Sequence, residues 1–252
     1  MEFEKTIDLP SGGLLEGSRK SLQVGSMDML AEKVIYTKSL LPSEKLIKIV
    51  GMCSDASPEE LRGFPFSDLA FAFIQIRILS TESTSYSFRV QCSMCQEGFP
   101  QEVDFEELEY KSLEEVCDGD APEPFTVSLP ASGKDVQLRY LRVSDHVTLE
   151  KMQKVRRSKG IVTDERFLCE TLARRTSSID GEEGREILYV KFYESLKTKD
   201  GYRIKDALDK RDFGIDLSIE GICPHCGELD TYLVRMDASF FRPGDRNDGE
   251  AP

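Results

Sequence analysis

Tryptophan is absent from this chain, and histidine occurs only at His146 and His225. With two imidazoles, a Ser–His or Cys–His catalytic set has few options. No glycine-rich phosphate loop and no nucleophile elbow is present. Acidic pairs such as Glu106-Glu107 sit in a charged stretch and read as solvation. These absences argue against an enzyme. No apolar run approaches the roughly 20 residues that a membrane helix needs. The opening Met1-Glu2-Phe3-Glu4 is acidic and lacks an apolar core, so it does not read as a signal peptide. A reducing cytoplasm is therefore expected, with cysteines free or metal-bound rather than paired.

Positive charge is also scarce. Lys and Arg number 33 against 46 Asp and Glu, for a net charge of −13. Such a balance argues against a surface devoted to nucleic-acid phosphates. One basic run exists, Lys151, Lys154, Arg156, Arg157 and Lys159, with Arg174 and Arg175 nearby. Its plainest reading is a solvated helix face; an acidic protein surface or nucleic acid are the other options. The opposite extreme is residues 97–123, where Lys111 alone interrupts a run of acids. That stretch reads as solvated helix and linker, with a docking face for a basic partner as the alternative.

Periodic apolar segments recur along most of the chain, mixing helix and strand signals. Helices are expected at about 26–37, from Pro42 to Val50, and from Ser57-Pro58, where serine caps and proline starts. Phe66–Ser80 is apolar on nearly all sides and should be a buried helix. Tyr86, Phe88 and Val90 alternate as in a half-buried strand, with a return strand over Phe99–Phe105. After strands near Val127 and Val136–Leu141, helices are expected from Ser144 to Ser158, 164–176, 182–197 and 204–212. Strands over 215–222 and 231–236 follow.

The chemistry lies in the cysteines. Cys92-x-x-Cys95 and Cys223-x-x-Cys226 each stand between two strand-like runs. One such turn offers a tetrahedral metal two thiolates, and two offer all four. The expectation is one structural zinc ion held by Cys92, Cys95, Cys223 and Cys226, with no open position for catalysis. His225 replacing a thiolate is the lesser alternative. Cys223-Pro224-His225-Cys226 also matches the active-site turn of oxidising thiol–disulfide proteins. That chemistry wants the first cysteine at a helix N-terminus, whereas Gly227 here leads into a strand. Cys53, Cys117 and Cys169 lack paired spacing and read as plain thiols.

The two parts of the chain echo each other. Leu9-Pro10-Ser11-Gly12 is matched by Leu129-Pro130-Ala131-Ser132-Gly133, and Leu22–Asp28 by Leu138–Asp145. Helices follow in both, and each part closes on strand, Cys-x-x-Cys, strand. The fold class expected is α+β, with two pseudo-repeated halves joined by a zinc-ribbon-like four-cysteine site. The boundaries are 1–117 and 127–242, a linker at 118–126 marked by Asp118–Pro124, and a disordered tail at 243–252. A pseudo-twofold arrangement would bring the two cysteine turns together.

Several motifs in order carry a resemblance. They are Leu9-Pro10-Ser11-Gly12, Ser67-Asp68-Leu69-Ala70-Phe71 leading to Ile76-Arg77, and the first cysteine pair. After them come the second Leu-Pro-x-Ser-Gly, Cys223-Pro224-x-Cys226-Gly227 and Phe240-Phe241-Arg242-Pro243. Together, over about residues 7–243, they resemble the tailed-phage baseplate family of T4-like hub and hub-assembly proteins. The resemblance implies a non-enzymatic hub component or assembly chaperone. It would touch hub and tape-measure proteins in the host cytoplasm, with a place in the virion tail baseplate. A cellular zinc-ribbon adaptor, binding nucleic acid or a transcription or processing complex, is the competing reading.

Overall fold

The computed structural model describes residues 2–161, 165–234 and 240. The 243–252 tail lies outside them, as do the last two residues of the strand expected over 231–236. The chain opens with an antiparallel hairpin, β1 (Lys5–Asp8) and β2 (Ser21–Val24), paired Lys5 to Val24 through Asp8 to Ser21. Four helices follow: α1 (Met29–Ile35), α2 (Pro42–Met52), α3 (Pro58–Leu61) and α4 (Phe66–Thr81). Asp28 caps α1 by accepting from the N–H groups of Leu30 and Ala31, and Ser57 caps α3 through Glu60. The chain then forms the hairpin β3 (Ser85–Gln91) and β4 (Gly98–Asp104), with Cys92 and Cys95 at its tip.

The rest of the chain again mixes short strands and helices and closes on a second cysteine hairpin. Strand β5 (Tyr110–Lys111) and helix α5 (Leu113–Cys117) lead to the hairpin β6 (Phe125–Ser128) and β7 (Asp135–Leu138). Helices α6 (Val143–Ser158) and α7 (Glu165–Arg175) precede β8 (Thr176–Ile179), which pairs with β7. Helices α8 (Glu186–Glu194) and α9 (Thr198–Lys210) follow. Strand β9 (Gly214–Ile215) pairs back to β5, and the hairpin β10 (Ser218–Ile222) and β11 (Leu229–Leu233) carries Cys223 and Cys226. Mixed helices and small antiparallel sheets make this an α+β fold. Helix α9 starts six residues before the expected Ile204, because Gly201 and the charges around it hide its first turns. The expected strand 215–222 is two strands, β9 and β10.

One device appears in both parts. Asp68, the third residue of α4, accepts from the N–H (2.9 Å) and hydroxyl (2.6 Å) of Ser11 in the first Leu-Pro turn. Asp200, the third residue of α9, accepts from the N–H groups of Ala131 (2.7 Å) and Ser132 (2.9 Å) in the second. Both carboxylates are fully buried, and each sits near the positive end of a helix. Burial pushes Asp68 up to about 6, against the pull of Ser11. Asp200 meets the same burial, but the N–H groups of Ala131 and Ser132 hold it below the ordinary carboxylate range. The first of these helices leads into a cysteine hairpin, and the second reaches one through β9.

Two large buried clusters fill the molecule, and they interlock. The first is built on α1–α4, β3 and β4, yet Val143 and Val147 of α6 enter it, as do Val234 and Phe240. The second is built on β6, β7, α7–α9, yet it takes in Leu15, Leu113 and Cys117. Segment 118–124 lies against this second cluster. Arg211 donates to the carbonyl of Ala121 and pairs with Asp120 at 3.2 Å.

The docking of α6 across α2 and α4 includes a titratable group. His146 stacks on Phe66 with ring centroids 4.2 Å apart. Burial, then the charge of Arg175, pushes its pKa from 6.5 down to about 4, against the pull of Asp145. The unfolded chain takes up that proton near 6.5 and the folded one resists it. Stability is therefore complete above 6.5 and falls as pH drops toward 4. The shift is worth about 3 kcal/mol. His146→Phe keeps the stack and removes the proton. Its urea midpoint should gain on the parent's steadily between pH 6.5 and 4. A constant difference across that window would refute this account.

Candidate metal centre

The two cysteine turns are built alike. In the first, the Cys92 N–H donates to the Glu97 carbonyl (3.0 Å) and the Gln96 N–H to the Cys92 carbonyl (3.1 Å). In the second, Cys223 donates to Glu228 (2.8 Å) and Gly227 to Cys223 (2.9 Å). Both need a left-handed residue after the second cysteine, supplied by Gln96 at φ 62° and Gly227 at φ 76°. Glycine meets that need without strain. The turn bends the chain so that both thiols point to the same side and backbone N–H groups point at sulfur. The Cys92 sulfur accepts from Cys95 and Met94, Cys95 from Glu97, and Cys226 from Glu228.

The structure brings all four expected residues together. The sulfurs of Cys92 and Cys226 lie 3.6 Å apart, as do those of Cys95 and Cys223. All four lie within 4.8 Å of one another. A disulfide has sulfurs at about 2.05 Å, and every cysteine here is a free thiol. Four thiolates at roughly 2.3 Å from one ion stand roughly 3.8 Å apart in a tetrahedron. The cluster is thus sized for a metal ion. Burial fits as well: Cys92 and Cys223 are buried, Cys95 is half-buried and Cys226 is exposed. The N–H of Cys95, the largest influence, brings Cys92 down to about 7. Cys95 has its own N–H donor in Glu97, but burial and the neighbouring sulfurs push it up to about 12. Four bare thiols at this spacing resist full ionisation, and a divalent cation would relieve that repulsion. His225 is exposed on the second turn.

The hairpins also meet beneath the sulfurs. Phe99 and Tyr232 pack edge to face, with centroids 5.7 Å apart at 89°. Cys92, Phe99, Cys223 and Tyr232 form a small buried cluster of their own. Asp230 of β11 accepts from Ser93 in the opposite turn, which holds its carboxyl below the usual range. At Gly221 a Cβ would lie 2.8 Å from Gln101 Oε1 and 3.2 Å from the Tyr232 ring. Glycine there allows β10 to approach β4. Spacing signals neither Asp230 nor Gly221; both matter only once the hairpins face each other.

The other cysteines stand apart from this centre. Cys53 follows the last residue of α2, Cys117 ends α5, and Cys169 lies in α7. Burial pushes the Cys53 thiol up to about 12. Much of the basic run is committed to acids. Lys151 pairs with Glu44 at 3.2 Å, Arg156 pairs with Glu170, and Arg174 pairs with Glu186 at 3.0 Å. Lys154, Arg157 and Lys159 are exposed. Among the described residues, no helix is long and apolar enough to cross a membrane.

Fold and centre together define an α+β protein whose two cysteine hairpins, from distant parts of the chain, close on one metal-sized thiol cluster. Residues 29–242 match the family model of the T4 bacteriophage base plate protein, and the chain belongs to that family. No curated protein and no solved structure gives a significant match. The family implies association with other phage baseplate proteins and a place in the virion tail.

Proposed function

We propose that this chain is a non-enzymatic component or assembly chaperone of the baseplate hub, and that its four clustered cysteines hold one structural zinc ion. The single observation that carries the reading is the convergence of Cys92, Cys95, Cys223 and Cys226 inside the segment that matches the baseplate family. A closed set of four thiolates suits zinc and leaves no position for a reacting water. The metal then ties the ends of two halves, 1–117 and 127–242, joined through 118–126. The paired Asp68 and Asp200 anchors support a tandem duplication, since both hold a Leu-Pro turn to the helix before a cysteine hairpin. Hub and tape-measure proteins are the partners, met in the host cytoplasm as the tail is built.

A tagged chain expressed during phage infection tests this reading. Hub or tape-measure proteins should co-purify with it and remain after nuclease treatment. Recovery of nucleic acid instead, lost with rising salt and on neutralising Lys154, Arg156 and Arg157, would favour the zinc-ribbon adaptor.

A further inference from the structure

A groove of about 520 Å³ opens between the two cysteine hairpins, on the side away from the sulfurs. That is within the range of specific binding pockets. Its walls are residues 101–104 of β4 and 218–220 of β10. Successive residues of a strand point to opposite faces. A wall made of consecutive residues is therefore a strand seen at its edge. Among the described residues, β3–β4 and β10–β11 are each two-stranded sheets, so the groove-side edges of β4 and β10 carry no partner strand. The walls touch near Gly221 and Gln101 and part toward Asp104 and Ser218. The groove is a wedge between two open strand edges.

Two further observations indicate what fills it. The lining carries Glu102, Asp104, Glu107, Glu109, Asp216 and Glu220, and no Lys or Arg. Lys111 approaches from outside it, 3.8 Å from Glu109. Glu220 and Thr231 also belong to the outer face of β10–β11, where the cross-strand pairs are Ser218–Leu233, Glu220–Thr231 and Ile222–Leu229. Ile222, Leu229 and Leu233 on that face are all more than half exposed. Acids beside exposed aliphatic side chains at an open strand edge match an extended segment that is itself basic and apolar in alternation. A second copy of this chain would bring the same carboxylates face to face, which disfavours self-pairing.

We propose that this wedge receives an extended, Lys- or Arg-rich segment of a partner protein, which adds as a strand to the open edge. Its cations meet the groove acids, and its aliphatic side chains cover Ile222, Leu229 and Leu233. The proposal concerns the groove itself and holds whatever the partner's place in the phage.

The test uses the full metal-loaded chain and a labelled synthetic peptide alternating lysine and valine, followed by fluorescence anisotropy. Binding should be saturable. It should weaken at least about tenfold, or 1.4 kcal/mol, in the double variant Glu102→Lys, Glu220→Lys. The double variant Glu16→Lys, Glu59→Lys makes the same change in net charge away from the groove and should retain binding. The same peptide with alternate backbone nitrogens methylated keeps its charge but cannot donate to a strand edge, and should bind at least about tenfold more weakly. Equal binding of the methylated peptide, or equal losses in both double variants, would mean diffuse charge attraction and overturn the proposal. A concentration-dependent dimer that Glu220→Lys disrupts would place a second copy on the edge and also overturn it.

Discussion

Changing Cys92 and Cys95 to serine should take the purified chain from one zinc to none and free both cysteine hairpins from each other. The two remaining thiols, Cys223 and Cys226, supply only half of a tetrahedral set. Structural zinc in small domains contributes about 10–16 kcal/mol of apparent binding energy, against net stabilities of about 5–15 kcal/mol. Here the hairpins also touch through Phe99 and Tyr232, but that buried cluster is small. With only Cys223 and Cys226 left, that cluster alone has to hold the two hairpins together. The first large core meets this cluster through the partly buried Val90 and Ile219, but the bulk of both large cores lies elsewhere and should survive. The expected outcome is therefore local: protease cleavage near 92–98 and 223–229 with most helical signal retained. Cys223→Ser should do the same from the other side, because both turns contribute to the one thiol cluster. Elemental analysis with limited proteolysis decides the matter. Two zinc ions in the parent, or one retained in the double variant, would mean that the two turns do not share a site.

Much of this centre is legible in the sequence, because a Cys-x-x-Cys turn between strands has few other uses. Strand alternation puts both turns at hairpin tips, and the meeting of the two tips is what the structure adds. The α4 helix is equally plain, since Leu69, Phe73, Ile74 and Ile76 leave it no exposed side. What stays hidden depends on partners far along the chain. Asp200 reads as one more acid in a charged helix until its carboxylate is seen on Ala131, 69 positions away. Strand β8 is Thr-Ser-Ser-Ile, and its buried Thr176 and Ser178 give no hydrophobic alternation. Neither Val143 nor Val147 announces that α6 fills a core built by residues much earlier in the chain. The acidic stretch 97–123 reads as a return strand and then solvated helix and linker, yet it also contributes β5 and forms one wall of the groove. Charge patterning describes solvation and is silent on strand edges.

Arg77→Leu should cost about 3 kcal/mol, although the substitution looks favourable by hydrophobicity alone. Arg77 lies on the apolar α4 with only 1% of its surface exposed. Its Nε donates to the Phe240 carbonyl at 2.7 Å, and its terminal nitrogens donate to Ser83 (2.9 Å) and Ser85 (2.7 Å). The rings of Tyr86, Phe105 and Phe240 surround the guanidinium at 5.1–5.4 Å. Burial lowers its pKa, but an arginine keeps its charge at any working pH. Leucine removes the cost of burying that charge, which favours the variant. Against this, it strands the buried Phe240 carbonyl and the half-buried carbonyls of Ser83 and Ser85, at about 1–3 kcal/mol for each that water does not reach, and it forfeits the cation–ring contacts. The carbonyl losses should win. Lysine should rescue little, because a single ammonium cannot follow the planar fork that reaches three acceptors. Phe240 is fully buried and stacks on Phe73 at 5.3 Å, so Phe240→Ala should lose a similar amount through cavity formation, about 3–5 kcal/mol. Because both residues serve one contact, the double variant should cost less than the sum. Urea midpoints of the four proteins test this. Strict additivity, or an unchanged midpoint for Arg77→Leu, would mean that the guanidinium does not clasp Phe240 to α4.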